Sequence, residues 1–306
     1  MYVNNSAISQ MKSLKFDLQA YLNSFLDVEL LDPHSQVLED LLSVIEKEAQ
    51  SMQDFLEVLV NTNLWQGWQI QPNPYKLMIV TVGAEIDRLA TLKQEPAFHS
   101  KRHMMDVCLM LSYLLKQEEL KQGEKKGDSV SRAWGTSVTE KWQLLLAAAA
   151  HDLGHPGLVN TIPYELEQQS LDLLKALLIR EGVDSQSIQD TLESVTPWIL
   201  ATDHGQYKAL LERIAIDPPE HVDCLAMLLV EADLASSVLP FRGRLLTGRL
   251  CEEWDKPYPE KSIALRNQVG YLSFLTSLQF VSPQAVSASI PQILNNSLLQ
   301  LQSQLP

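Results

Sequence analysis

An almost entirely α-helical fold, a compact multi-helix bundle, is what this sequence predicts, on three observations. Apolar residues recur at three- and four-residue spacing, as at Leu14, Leu18, Tyr21, Leu22 and Phe25. Glycine is scarce, at 12 of 306 residues, so few positions favour leaving a helix. The run from Leu144 to Ala150 is apolar on every side, the pattern of a helix buried at the centre of a bundle.

The elements follow in order. Residues 12–61 carry helix-period apolar positions and predict two or three lead-in helices, broken at Asp32-Pro33-His34-Ser35 and closed between Gln69 and Pro74. A helix is expected from Tyr75 to Leu92, and Pro96 is a start signal for the next, from about His99 to Glu119. Residues 121–138, with Lys121, Gly123, Lys125, Lys126, Gly127, Asp128 and Gly135, read as a surface loop or disordered insert. Further helices are expected at 140–152, 164–181, 185–202, 205–215, 219–235 and 261–280. From Ser282 the chain is rich in Ser, Gln and Asn and is expected to pack loosely.

Composition excludes several classes. A net charge of −14 opposes a general nucleic-acid or anionic-membrane surface, while leaving room for a small phosphate compound beside bound cations. No window reaches the roughly 18 uninterrupted apolar residues of a membrane span. No basic region followed by an apolar core opens the chain, so no secretory signal is expected. Cys108, Cys224 and Cys251 are scattered and make neither a disulfide framework nor a metal pair, which favours the cytoplasm.

Chemistry concentrates in two stretches, Phe98-His99-Ser100-Lys101-Arg102-His103-Met104-Met105-Asp106 and His151-Asp152-Leu153-Gly154-His155-Pro156-Gly157, which hold four of the seven histidines. Imidazole and carboxylate together hold a divalent cation with positions left open for water and phosphate oxygens. His99 and His103, four apart, share a helix face with about 6 Å of rise between them, so one can bind a cation while the other handles a proton. His151 and Asp152 end the buried helix, where an ionised carboxylate is costly unless paired or metal-bound. A further carboxylate is available downstream. Glu231 and Asp233 are two apart and cannot share a face, and Asp233, at the end of its apolar run, is favoured as the inward one. Asp106 either orients His103 or caps backbone. His34, His204 and His221 sit in polar contexts without an expected chemical role.

In order, these segments resemble the HD-domain superfamily and, within it, the catalytic domain of class I 3′,5′-cyclic nucleotide phosphodiesterases. That family's Tyr-His-Asn-x-x-His-Ala-x-Asp-Val is similar to Phe98 through Val107, and its Ala-x-x-His-Asp-x-x-His-Pro-Gly-x-x-Asn matches Ala148 to Asn160. Its Glu-Asn-His-His-Leu resembles Glu167 to Leu171, and its Leu-Ala-Thr-Asp resembles Leu200 to Asp203. Its Ala-Asp-Leu resembles Ala232 to Leu234, and its Gln-Val-Gly-Phe resembles Gln268 to Tyr271. The resemblance covers roughly residues 75–280. Departures are Phe98 for Tyr, Ser100 for Asn, Ser236 where an Asn follows the late Asp, and a shorter segment between His155 and Glu167, which leaves Glu165 as a rival to Glu167.

The resemblance implies hydrolysis of cAMP, cGMP or both to the 5′-monophosphate, by attack of a metal-bridging hydroxide with His99 as general acid. It implies His103, His151, Asp152 and Asp233 as ligands to a first ion, zinc, with Asp152 bridging to magnesium or manganese. His155, Glu167 and Asp203 would support the site from behind, and His155 and Asp152 would take part in the chemistry. Gln268, Tyr271, Phe98 and Ser236 would meet the nucleotide. The implied organisation is N-terminal helices at 1–70, in the same bundle or a small subdomain, a catalytic domain at 71–285 and a tail at 286–306. The implied partner is a small nucleotide, with no nucleic-acid polymer and no membrane, and self-association as a homodimer stays open. Two other readings stand beside this one. An HD phosphohydrolase acting on a nucleoside monophosphate, a dNTP or (p)ppGpp does not need the Gln268 segment. A non-catalytic HD scaffold generally loses metal residues that this chain keeps.

Overall fold

The structure is a computed structural model that describes residues 17–27, 35–121 and 133–304. Among the described residues every regular element is helical and there is no strand. His34 and residues 122–132 of the expected insert lie outside them.

The lead-in segment forms α1 (Leu18–Leu26), α2 (Ser35–Glu48), α3 (Met52–Val60) and α4 (Asn63–Gly67). Then α5 (Pro74–Leu92) starts where Asn73 accepts from the amides of Tyr75 and Lys76, with Pro74 in the first turn, where its missing N–H leaves no bond unmade. These helices join the main core through indole donors: Trp65 Nε1 bonds Ser112 Oγ at 3.1 Å, and Trp142 Nε1 bonds the Trp68 carbonyl at 2.7 Å.

Two long helices follow, α6 (Lys101–Lys121) and α7 (Val138–Ala150). A capping box of Ser137 and Glu140 starts α7, which is buried at every residue from Lys141 to Ala150, as its all-round apolar run requires. α6 begins at Lys101 rather than His99; Phe98 and His99 sit in the bend before it. Four helices come next: α8 (Glu165–Arg180), α9 (Ser185–Leu200), α10 (Tyr207–Ile214) and α11 (His221–Ala235). The side chains of His103, His151 and Asp233 meet. His103 lies in the first turn of α6, whereas the others lie at the last turns of α7 and α11, so α6 runs against both.

The C-terminal third departs most from expectation. α12 (Arg242–Trp254) is an unexpected helix, because two glycines and several charges hide its narrow buried stripe of Arg242, Gly243, Leu246 and Cys251. The single helix expected at 261–280 is two, α13 (Pro259–Arg266) and α14 (Gln268–Ser277). Asn267 separates them: its backbone is extended, at ψ 155°, and its side chain accepts from the Gly270 amide to cap α14. The tail expected to be loose instead forms α15 (Pro283–Ser287) and α16 (Ile290–Ser303), which bury Ala285, Ile290, Ile293 and Leu301. Its serines and glutamines are bonded inward, Ser297 Oγ to the Val238 carbonyl and Gln284 Nε2 to the Trp134 carbonyl.

Candidate active site

Helix ends build the site. His151 caps α7 and its Nδ1 donates to the Ala148 carbonyl at 2.9 Å, which leaves the Nε2 lone pair facing away from the helix. That Nε2 is buried and accepts no hydrogen bond, although Asp152 Oδ2 lies 3.2 Å and Asp233 Oδ1 3.7 Å from it. His103 Nε2 is 2.9 Å from Asp233 Oδ1 and 3.5 Å from Asp152 Oδ2. Two imidazole nitrogens thus lie beside two carboxylates at spacings scattered around the edge length, about 3.4 Å, between tetrahedral ligands held about 2.1 Å from one ion. Burial alone would raise the Asp152 carboxyl, but the His151 and His99 rings outweigh it and hold Asp152 well below the usual carboxylate range. Asp233 is likewise lowered, against burial, by the adjacent His103 and His151 rings. Two anionic oxygens facing the His103 Nε2 and the unpartnered, buried His151 Nε2 fit a divalent cation.

A second cluster lies beside the first. His99 Nδ1 is 2.5 Å from Glu253 Oε1, and the other Glu253 oxygen accepts from the amides of Phe98 at 2.8 Å and His99 at 3.1 Å. One carboxylate from the end of α12 therefore fixes both the ring and the backbone that carries it. Burial disfavours the His99 cation, but the charges of Asp152 and Glu253 outweigh burial and raise its pKa. The His155 ring stacks on His99 with centroids 3.7 Å apart. Burial, and then the charge of His99, push the His155 pKa down to about 3, so of the stacked pair His99 keeps the proton. His155 Nδ1 accepts from the Gly157 amide at 3.1 Å, as a neutral ring does. Gly157 has φ 76°, and a Cβ there would lie 3.0 Å from Glu253 Cγ, so both backbone and space require glycine.

Both clusters open into a cavity of about 770 Å³, within the usual range for a small-molecule site. Phe98 lines it, packed on His103 at 4.6 Å between centroids. Glu167 lines it too, bonded to Asn160 Nδ2 at 2.9 Å, and burial raises its pKa. Glu165, at the start of α8, instead accepts from the amide and hydroxyl of Thr161 and does not line the cavity. Asp203 also lines the cavity, and its carboxylate accepts from the amides of Tyr164 and Gly205, both at 2.9 Å or less. His204, expected on the surface, is exposed but stands at the cavity wall near Phe274.

Several sequence expectations are corrected. Gln268 Nε2 donates to the Leu301 carbonyl at 2.9 Å, on the C-terminal helix, and is not part of the cavity lining. Tyr271 is buried against Ser237 and Gly243, also off the cavity wall. The cause is helical phase: with Asn267 starting α14, the face of Gln268, Tyr271 and Leu275 packs into the bundle, and Gly270, Ser273 and Phe274 face the cavity. Ser236 is buried without lining the cavity, where Ser237 lies instead. Glu231 is inward as well as Asp233, on the other side of α11, where it accepts from the amides of Val281 and Ser282. Asp106 neither orients His103 nor caps backbone; it pairs bidentately with Arg242 at 2.8 and 2.9 Å. Glu253 and Arg242 escaped sequence reading because both come from the unrecognised α12, and an acidic pair such as Glu252-Glu253 carries no local mark of its partner.

The profile of the 3′5′-cyclic nucleotide phosphodiesterase family matches residues 98–262, just over half of the 306-residue chain. The chain belongs to that family. This phosphodiesterase is accordingly a hydrolase acting on cyclic nucleotides, and the family implies dependence on divalent cations. The matched span holds both histidine clusters and Glu253, and it ends before Gln268. Among solved structures 40 chains are similar. One is LmjPDEB1 in complex with IBMX, at 16% identity and a TM-score of 0.54, with 90% of this chain and 98% of that one covered. That likeness is one of fold and extends the shared architecture to the helices before residue 98. No curated protein matches the chain.

Proposed function

We propose that this phosphodiesterase converts cAMP, cGMP or both to the 5′-monophosphate at a two-cation centre, with His99 as proton donor. The convergence of His103, His151, Asp152 and Asp233 beside the His99–Glu253 pair carries this reading. His103, His151 and Asp233, with one Asp152 oxygen, suit zinc, which favours imidazole and carboxylate donors. Asp152, Glu167 and Asp203 line the same cavity and would offer carboxylate oxygens suited to magnesium or manganese. When bound, such cations lower the pKa of water and offset charge on the phosphate oxygens.

The chain's own residues do the rest. His99, held by Glu253, gives its proton to the departing ribose oxygen. His155, neutral and stacked on His99, confines that proton to one ring. Glu167, oriented by Asn160, presents its carboxyl to the cavity, and Asp203 fixes the loops around it through the Tyr164 and Gly205 amides. Phe274, rather than Tyr271, offers its face to the base, with Leu250 and Leu265 excluding water around it. The three buried cysteines make no disulfide among the described residues, which suits the reducing cytoplasm.

The test is hydrolysis of cAMP, cGMP and bis(p-nitrophenyl) phosphate with added zinc, magnesium or manganese, by wild type and Asp152→Ala, alongside elemental analysis. Hydrolysis of a cyclic nucleotide that Asp152→Ala abolishes supports the reading. Cleavage of the generic diester alone overturns the nucleotide assignment, and no bound metal with no activity overturns the centre.

A further inference from the structure

Five charged side chains that the chemistry above does not use meet between α2, α6 and α12. Arg242, 3% exposed, pairs bidentately with Asp106, 2% exposed, and donates as well to Glu46 of α2. Arg249, two turns along α12, donates to the same Glu46 carboxylate. Glu39 of α2, 5% exposed, accepts from the amides of Phe241 at 2.7 Å and Arg242 at 2.9 Å, so it caps α12 with a carboxylate from another helix. Buried charges of this kind are poor value as stability alone, because desolvation offsets most of their attraction. What a bidentate pair supplies is geometry.

The geometry here joins the two ends of the catalytic apparatus. Asp106 lies one helical turn after His103 on α6. Arg242 opens α12, and Glu253, one residue before its end, holds His99. α12 is the rigid rod between them, and the 11 steps from Arg242 to Glu253 cover about 16 Å. Its first turn is tightly seated: a Cβ on Gly243 would lie 2.1 Å from the Ser237 carbonyl oxygen. Both carboxylates that fix the outer side of this rod, Glu39 and Glu46, come from α2, which lies outside the family-matched residues 98–262.

We propose that Arg242, braced by Glu46 and Glu39, is a positioning residue for proton donation, setting Glu253 and hence His99 against the metal-ligand helix. α2 is thereby a working part of the catalytic unit. The proposal rests on His99 being the proton donor, and leaving-group chemistry separates the two claims. A ribose alkoxide needs a proton to depart, whereas p-nitrophenolate leaves without one, so a misplaced acid harms cyclic-nucleotide hydrolysis selectively.

Full-length wild type, Arg242→Met, Glu46→Gln, Glu253→Gln and the Arg242→Met/Glu253→Gln double variant are compared on cAMP, cGMP and bis(p-nitrophenyl) phosphate, with thermal melting and metal content measured in parallel. Arg242→Met is expected to lower kcat on the cyclic nucleotide about 10- to 100-fold, a partial loss of the roughly 10²- to 10⁴-fold that general acid catalysis supplies, with less than about a threefold change on the aryl diester. Glu46→Gln, the milder variant in case Arg242→Met does not fold, is expected to show the same selectivity at smaller size. The double variant is expected to be no worse than Glu253→Gln alone, since both act through His99. Equal losses on both substrates, or additive losses in the double variant, overturn the proposal and leave Arg242 a structural residue. If Glu253→Gln itself shows no selectivity, the assignment of His99 as donor fails, and this proposal with it.

Discussion

The two histidine clusters are neighbours of similar composition, yet they are built for opposite purposes. In the first, His103 and His151 face Asp152 and Asp233 through their Nε2 atoms, and the buried His151 Nε2 has no hydrogen-bond partner. In the second, His99 is closed onto Glu253 at 2.5 Å, and its neighbour His155 is bonded to backbone. An unpaired nitrogen and a second imidazole converging on two anionic oxygens favour a cation. A ring tied to one carboxylate and stacked on a neutral ring favours a single, placed proton. The first pair of imidazoles is buried and the second only partly so, and the two also differ in where each imidazole's second nitrogen finds its partner.

The largest expected effect breaks the first cluster alone. Asp233→Ala should lower turnover by about a thousandfold or more and reduce bound metal in elemental analysis, because metal-assisted activation of water is lost. Retained metal and activity would remove Asp233 from the ligand set. Next, His99→Ala should cost about 10²- to 10⁴-fold on cyclic nucleotide with metal content unchanged, which separates the proton cluster from the cation cluster. Loss of metal in that variant would merge them.

A pH profile sharpens the second cluster. Burial lowers the His99 pKa, and the charges of Asp152 and Glu253 more than restore it. The protonated acid therefore persists to higher pH than an isolated histidine would. Glu253→Gln removes one raising interaction, so the alkaline limb of kcat/KM should move to lower pH; a limb that stays or moves upward would contradict the pairing. Gly157→Ala, at φ 76°, should lower stability by about 1–2 kcal/mol in thermal or denaturant unfolding and perturb Glu253 by contact. The smallest effect is expected at Gln268. Since that amide is bonded to Leu301, Gln268→Ala should change KM for either cyclic nucleotide less than Phe274→Ala does, and the reverse order would return Gln268 to the pocket.

Much of this was legible in the chain. Leu144 to Ala150 announced a central helix because only full burial accommodates an all-round apolar surface, and the same run announced where His151 and Asp152 would emerge. Asp233 at the end of its apolar run was legible in the same way. Each of these is a relation between a residue and its own helix. The second cluster was only half legible, since His99 and His155 stood out while Glu253, 154 positions from His99, did not.

Sequence by itself thus determined the helical class, the three central helices and the stretches that carry the candidate ligands, because periodicity and adjacency are local properties of a helix. The choice of His103, His151, Asp152 and Asp233 came from the family resemblance. Tertiary structure alone decided which carboxylate holds His99, which helix braces it, and which face of α14 meets the cavity. Those depend on rigid-body packing, where one extended residue at Asn267 resets the phase of a helix, and a buried Arg242 chooses partners from α2 and α6, more than 130 residues away.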